Sequence, residues 1–156
     1  MALISATLTN GLKSIMDQDY AGFIDFPSDT IAVANAWADA VNNYASLVTP
    51  PSASSAAART AFYNVMLGMD TNAGNGLPIM ISAFTAYAAT LAGGMLPAFA
   101  GTPPPVPIPL ATVIPALGLA GADGATVAEA LSSVIDAWFR TGLAVNTTSG
   151  ATTLWV

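Results

Sequence analysis

Residues Ser28 to Val48 read SDTIAVANAWADAVNNYASLV, and this stretch decides the fold class. Apolar side chains recur at spacings of three and four, at Ile31, Ala34, Trp37, Ala38, Val41, Tyr44, Ala45 and Val48. With 3.6 residues per turn they fall on one stripe, the mark of a helix that buries one face. Ser28 can accept from the free amides of the first turn, and Asp29 suits the positive end of the helix dipole. Pro50-Pro51 ends the run, since neither ring nitrogen can donate a hydrogen bond.

The same reading extends in both directions. Ile4, Leu8, Leu12 and Ile15 predict a short amphipathic helix over Met1 to Met16, followed by a loop from Asp17 to Phe26. Ser52 opens a further helix through Ala58, Phe62, Tyr63, Met66 and Met69, and the Asp70 to Gly76 string is turn chemistry. Pro78 fits a first helical turn, and Ile79, Ala83, Phe84, Tyr87, Ala88 and Leu91 carry that helix to Gly93-Gly94. Thr126 and Glu129 form a capping box for a last helix with Val127, Leu131, Val134, Ile135, Trp138 and Phe139 on its face, stopped by Gly142. The 32 alanines permit close helix approach. Thr102 to Pro109 holds five prolines and must be extended, polyproline II being its natural form. Leu143 to Val156, rich in Thr and Val around Ser149-Gly150, predicts a short β-hairpin or strand arm.

The fold class expected is therefore mainly α: a compact antiparallel bundle of about five helices, a Pro-rich extended segment and a short C-terminal β element. Residues 1–94 form the helical body, 95–125 a Pro-rich strap and 126–156 the last helix with its arm, all packed as one domain. No internal repeat is present.

Composition removes whole classes of function. The 156 residues include 3 basic and 9 acidic side chains, for a net charge of −6, and no His or Cys. Without imidazole or thiol there is no Ser-His-Asp triad, no Cys nucleophile, no zinc site of the usual kind and no disulfide. Three cations cannot neutralise a phosphate backbone, so nucleic acid is not an expected partner. Charged residues are 8% of the chain, against about 25% in ordinary soluble domains. From Thr71 to Ala122, 52 consecutive residues carry no charge at all. Surface of that kind is expected to be covered by other subunits.

Few residues are candidates for chemistry. Asp17, Asp19 and Asp25 stand at positions one, three and nine of a calcium-loop pattern begun at Asp17, with Gly22 at six, but Ser28 replaces the bidentate Glu at twelve. No metal site is assigned. A solvated loop before a helix that favours acids accounts for them equally. A hydrolytic role for Asp17, Asp19 or Glu129 lacks a cleft or a facing pair of carboxylates. No cofactor is expected, and the chain reads as a non-enzyme. Pro104, Pro105, Pro107 and Pro109 read as a strap over a neighbour, and Trp155 with Leu154 as an intersubunit anchor, because a lone chain offers little to pack around a terminal Trp. Trp37 and Trp138, on apolar stripes, read as core.

Leu77 to Ala100 is long and apolar enough to span a bilayer, which supports a small membrane-active, holin-like protein as the alternative. No Lys or Arg flanks it, Gly93-Gly94 and Pro97 interrupt it, and no cationic segment marks a secretory signal, so a membrane is not the expected partner. Asn146-Thr147-Thr148 is accordingly not read as glycosylated.

The helix ending Asp136-Ala-Trp-Phe-Arg-Thr-Gly142 and the close Asn146-Thr-Thr-Ser-Gly-Ala-Thr-Thr-Leu-Trp155, after an Ala-rich body and a proline linker, resemble small virion structural proteins encoded among the tail and neck genes of tailed bacteriophages. The resemblance implies a subunit of the tail, baseplate or neck, assembled in the host cytoplasm into a homo-oligomeric ring. Its partners would be copies of itself and other virion structural proteins, with no catalytic residue to carry over.

Overall fold

A computed structural model describes residues 3–17, 29–69, 76–119 and 121–156. Among these, six helices and three strands follow the order α1 (Ser5–Met16), α2 (Thr30–Ala45), α3 (Ser55–Met66), α4 (Gly76–Gly93), β1 (Phe99–Thr102), α5 (Leu110–Leu119), α6 (Gly124–Phe139), β2 (Leu143–Asn146) and β3 (Thr152–Leu154). A single 3-10 turn, Leu67–Met69, extends α3. The fold is mainly helical, with a small antiparallel sheet at the C-terminal end.

α2 buries the stripe read from its sequence: Ala34, Trp37, Ala38, Val41, Tyr44 and Ala45 face inward. Its cap is Asp29, which accepts from the Ala32 amide at 2.7 Å; Ser28 lies outside the described residues. Ile31 departs from expectation and is 58% exposed. It sits one turn before the first buried residue of the stripe, where nothing packs over it. α1 starts at Ser5, later than expected, with Ile4 as an extended cap residue. Extended backbone alternates its side chains, so Leu3 turns in and Ile4 is half-exposed. α3 starts three residues after Ser52, which has another task. Its hydroxyl donates to the Leu91 carbonyl at 2.6 Å and accepts from the Ser54 amide. α6 is capped by Asp123, not Thr126: the carboxylate accepts from the Thr126 amide at 2.7 Å, and the hydrogen bonds from Thr126 hold its pKa below the usual carboxylate range.

α4 runs through the middle of the bundle, against α3 on one side and β1 and α5 on the others. Ala83, Phe84, Tyr87, Ala88, Leu91 and Ala92 are buried. By length and composition it is long and apolar enough to cross a membrane. The Leu77 to Ala100 span is nevertheless not one helix. α4 stops at Gly93, residues 94–98 turn, and Phe99 and Ala100 enter β1. The exposed side of α4 carries Pro78, Ser82, Thr85 and Ala89, with the Ser82 and Thr85 hydroxyls bonded to the Pro78 and Ile81 carbonyls.

The segment 95–125 is more structured than the strap expected there. β1 pairs with β2, Ala100 opposite Val145, and β2 pairs with β3, Leu143 opposite Leu154. The hairpin predicted for the C-terminus is present, and β1 joins it as a third strand. α5 forms although Pro115 lies inside it. The proline removes one ladder bond, offset by Val113, Ile114 and Leu117 packing against the core. Only residues 103–109 are extended without a strand partner.

The core is organised around aromatic rings that meet edge-on. Phe62 lies 5.1 Å from Phe84 and 6.3 Å from Tyr87, and Phe139 lies 5.9 Å from Tyr87 and 5.0 Å from Trp138. Such pairs add about 0.5–1.5 kcal/mol each beyond the area they bury. The total accessible surface is 7590 Å², close to the roughly 7,300 Å² expected of a compact folded chain of this mass.

Candidate interaction surface

The strap begins where β1 ends. Proline rings deprive Pro103, Pro104, Pro105, Pro107 and Pro109 of donors, so their stretch of backbone offers mostly carbonyls. One of these, at Val106, accepts from the Trp138 indole at 2.7 Å. That bond and the burial of Ile108 and Leu110 hold the strap on α4 and α6 of its own chain. Pro105, Val106, Pro107 and Pro109 face outward, Val106 at 60% exposure. A hollow lies on each side of Val106. One, about 210 Å³, is lined by Thr85, Ala88, the prolines and Trp138. The other, about 300 Å³, is lined by Pro109, Val134, Ala137, Trp138 and Thr141. Each exceeds the roughly 150 Å³ of an apolar cavity that takes up benzene.

The arm corrects the reading of Trp155. Its side chain is fully buried, stacked on Phe139 at 6.4 Å with an interplanar angle of 28°. The indole donates to the Leu143 carbonyl at 3.0 Å. The last residues find company inside the chain because Gly142 leaves room for the ring and the bundle end supplies Phe139. Trp155 therefore anchors the arm internally and is not a free surface residue. Leu154, beside it, is exposed with Leu143 and Val156. The outer edge of the arm is closed at one end by Thr49, which exchanges both backbone bonds with Val156 at 2.7 and 3.1 Å. Pro50 and Pro51 follow and cannot extend that ladder.

Charge is distributed unevenly. Every described charged residue lies on or beside α1, α2, α3 or α6. The three cations are all engaged: Lys13 with Glu129 at 2.6 Å, Arg59 with Asp39 at 2.6 Å and Arg140 with Asp136 at 2.9 Å. No unpaired cation faces solvent to receive a phosphate. The strap, α4, α5 and the sheet carry no charge.

Asp136 joins three elements. It accepts from the Tyr44 hydroxyl at 2.5 Å and from Arg140, while Arg140 also donates to the Leu3 carbonyl at 2.9 Å. This ties α2, α6 and the segment before α1 together and accounts for Asp136 without a catalytic role. Burial, reinforced by Asp136, raises the Tyr44 pKa far above its ordinary 10.0, and burial alone does the same for Tyr87, whose hydroxyl donates to Asn42 at 3.1 Å. The folded state thus binds phenolic protons that the unfolded chain releases above pH 10, so stability is full below that pH and falls as pH rises beyond it. Urea midpoints measured at about pH 8 and about pH 11 should show a drop that the double variant Tyr44→Phe/Tyr87→Phe reduces; an unchanged drop places the loss elsewhere.

Of the candidate calcium ligands, Asp17 follows α1, while Asp19 and Asp25 lie outside the described residues. Among the described residues no three acids converge on one point. Glu129 is engaged with Lys13 and does not face Asp136. The sequence reading missed the hollows beside Val106; the available signal was a Trp138 indole that needs an acceptor, opposite a strap whose carbonyls lack partners.

The molecule is a helical bundle with an appended three-stranded antiparallel sheet, bearing one charge-free face. Compared with known proteins, the chain matches no family model, no curated protein and no solved structure.

Proposed function

We propose that the chain is a non-enzymatic structural subunit of a tailed-phage virion, in the tail, baseplate or neck, that holds neighbouring subunits together in a ring. The observation that carries this reading is the charge-free exterior of strap and arm, on which Val106, Leu154, Val156 and Leu143 are 60%, 52%, 39% and 38% exposed. Apolar residues grouped on such a face favour a protein partner. Pro104, Pro105, Pro107, Pro109 and Leu154 are the contact residues, and Trp155 contributes by fixing the arm that displays Leu154. The resemblance of residues 136–155 to virion proteins supports the same assignment. Partners are copies of this chain and other virion proteins.

Mass spectrometry of purified particles from a host carrying the gene tests the reading. The chain should appear in fixed ratio to tail proteins and stay with the particles through a high-salt wash. Its absence from particles overturns the proposal. Recovery in carbonate-washed membranes instead favours the holin-like alternative, which has the length and composition of α4 behind it but requires Phe84 and Tyr87 to leave the core.

A further inference from the structure

We infer that the strap face pairs two copies of this chain, Val106 of each entering a hollow beside Val106 of the other. The inference rests on the subunit reading only for its biological setting, since the contact is written in this chain's own surface. Three observations carry it. First, a chain of net charge −6 repels its copies, and like charges brought together cost several kcal/mol. The strap with the outer sides of α4 and α5 forms a face where two copies meet without opposing charges. The same absence of charge means that no acidic or basic foreign partner is complemented there.

Second, the patch is self-complementary. A two-fold contact requires projection and recess on the same patch. Val106 projects at 60% exposure between hollows of about 210 and 300 Å³, so one rotation seats both valines. Third, the area suffices. A stable pair needs about 800 Å² from each partner, near a tenth of the 7590 Å² available here. The sheet, with Leu143 and Leu154, stays free for other neighbours.

The whole chain, studied by sedimentation velocity over a dilution series, should move from dimer to monomer. Val106→Asp should weaken that association about a hundredfold, because the carboxylate is desolvated without a partner. Asn64→Asp, with the same added charge on the exposed side of α3, should leave it nearly unchanged. Circular dichroism should show both variants folded, as Val106 is exposed and its carbonyl bond to Trp138 is retained. The natural chain has no cysteine, which gives a second measurement independent of the charge. Val106→Cys chains mixed with Ala137→Cys chains should form a mixed disulfide on mild oxidation. A wild type that stays monomeric at every concentration overturns the inference, and particle composition then still decides the subunit reading separately. Association that Val106→Asp leaves intact, or that Asn64→Asp weakens equally, also overturns it, as does flotation of the monomer on neutral lipid vesicles through Val106.

Discussion

Trp155→Ala lowers the free energy of unfolding by about 3–5 kcal/mol, a large part of the roughly 5–15 kcal/mol that holds a domain of this kind together. Three losses combine. The indole is fully buried, so its removal forfeits the transfer of a large ring out of water and leaves a void. The stack on Phe139 at 6.4 Å disappears. The Leu143 carbonyl loses the indole donor at 3.0 Å, and a buried acceptor left unpaired costs about 1–3 kcal/mol. Rigid surroundings keep the void open: Phe139 is fixed by Tyr87 and Trp138, and the facing residue, Gly142, has no side chain to fill space. Urea titration followed by circular dichroism should show a lower midpoint with an unchanged slope, because the surface exposed on unfolding is little altered. Leu154→Ala, one residue away but 52% exposed, should change stability by no more than about 0.5 kcal/mol. The contrast separates two roles for the arm. A Trp155→Ala loss below about 1 kcal/mol, outside the range for a buried aromatic, would mean that the ring is not packed within its own chain and would return it to the intersubunit role that the sequence suggested.

What the sequence disclosed were features set by neighbours a few residues apart. The stripe on α2 follows from its own spacing, and Gly93-Gly94 marks the end of α4 with no help from the rest of the chain. The hairpin was readable because Asn146 and Gly150 carry their own turn chemistry: Asn146 Oδ1 accepts from the Thr148 and Ser149 amides, and Gly150 takes a φ of +73°. What stayed hidden depends on distant partners. Phe99 to Thr102 is too short and too glycine-containing to announce a strand, and it becomes one because β2 arrives more than forty residues later. Pro115 argued against a helix that packing stabilises nonetheless. Trp155 looked unaccompanied because its companions, Phe139 and Gly142, are brought to it only by the turn between α6 and β2. The interaction surface divides in the same way. Its prolines and its lack of charge were visible as composition, whereas the hollows beside Val106 arise from three elements meeting.

The crossing of α1 and α6 yields a substitution whose sign local propensity alone gets wrong. Alanine is favoured over glycine in a helix by about 0.5–1 kcal/mol, and at Gly118 in α5, where an added methyl meets nothing, Gly118→Ala should stabilise by about that amount. Gly124, the first residue of α6, is a different case. A methyl built there runs into the Met16 carbonyl oxygen and comes 2.7 Å from the Met16 carbonyl carbon and 3.0 Å from the Asp17 Cα. These are backbone atoms at the end of α1, and they cannot rotate away as a side chain would. Gly124→Ala must therefore push α1 off α6, loosening Lys13 from Glu129 and the Thr9 hydroxyl from that of Ser132, 2.7 Å away. Overpacking of this kind costs about 1–3 kcal/mol and more where backbone must shift, against a propensity gain of about 1 kcal/mol at most, so the clash decides. Urea titration of the two variants beside the wild type reads the result directly. Gly118→Ala should raise the midpoint and Gly124→Ala should lower it, with faster amide exchange confined to α1 and the first turns of α6. A Gly124→Ala chain as stable as the wild type would mean that α1 does not cross α6 this closely.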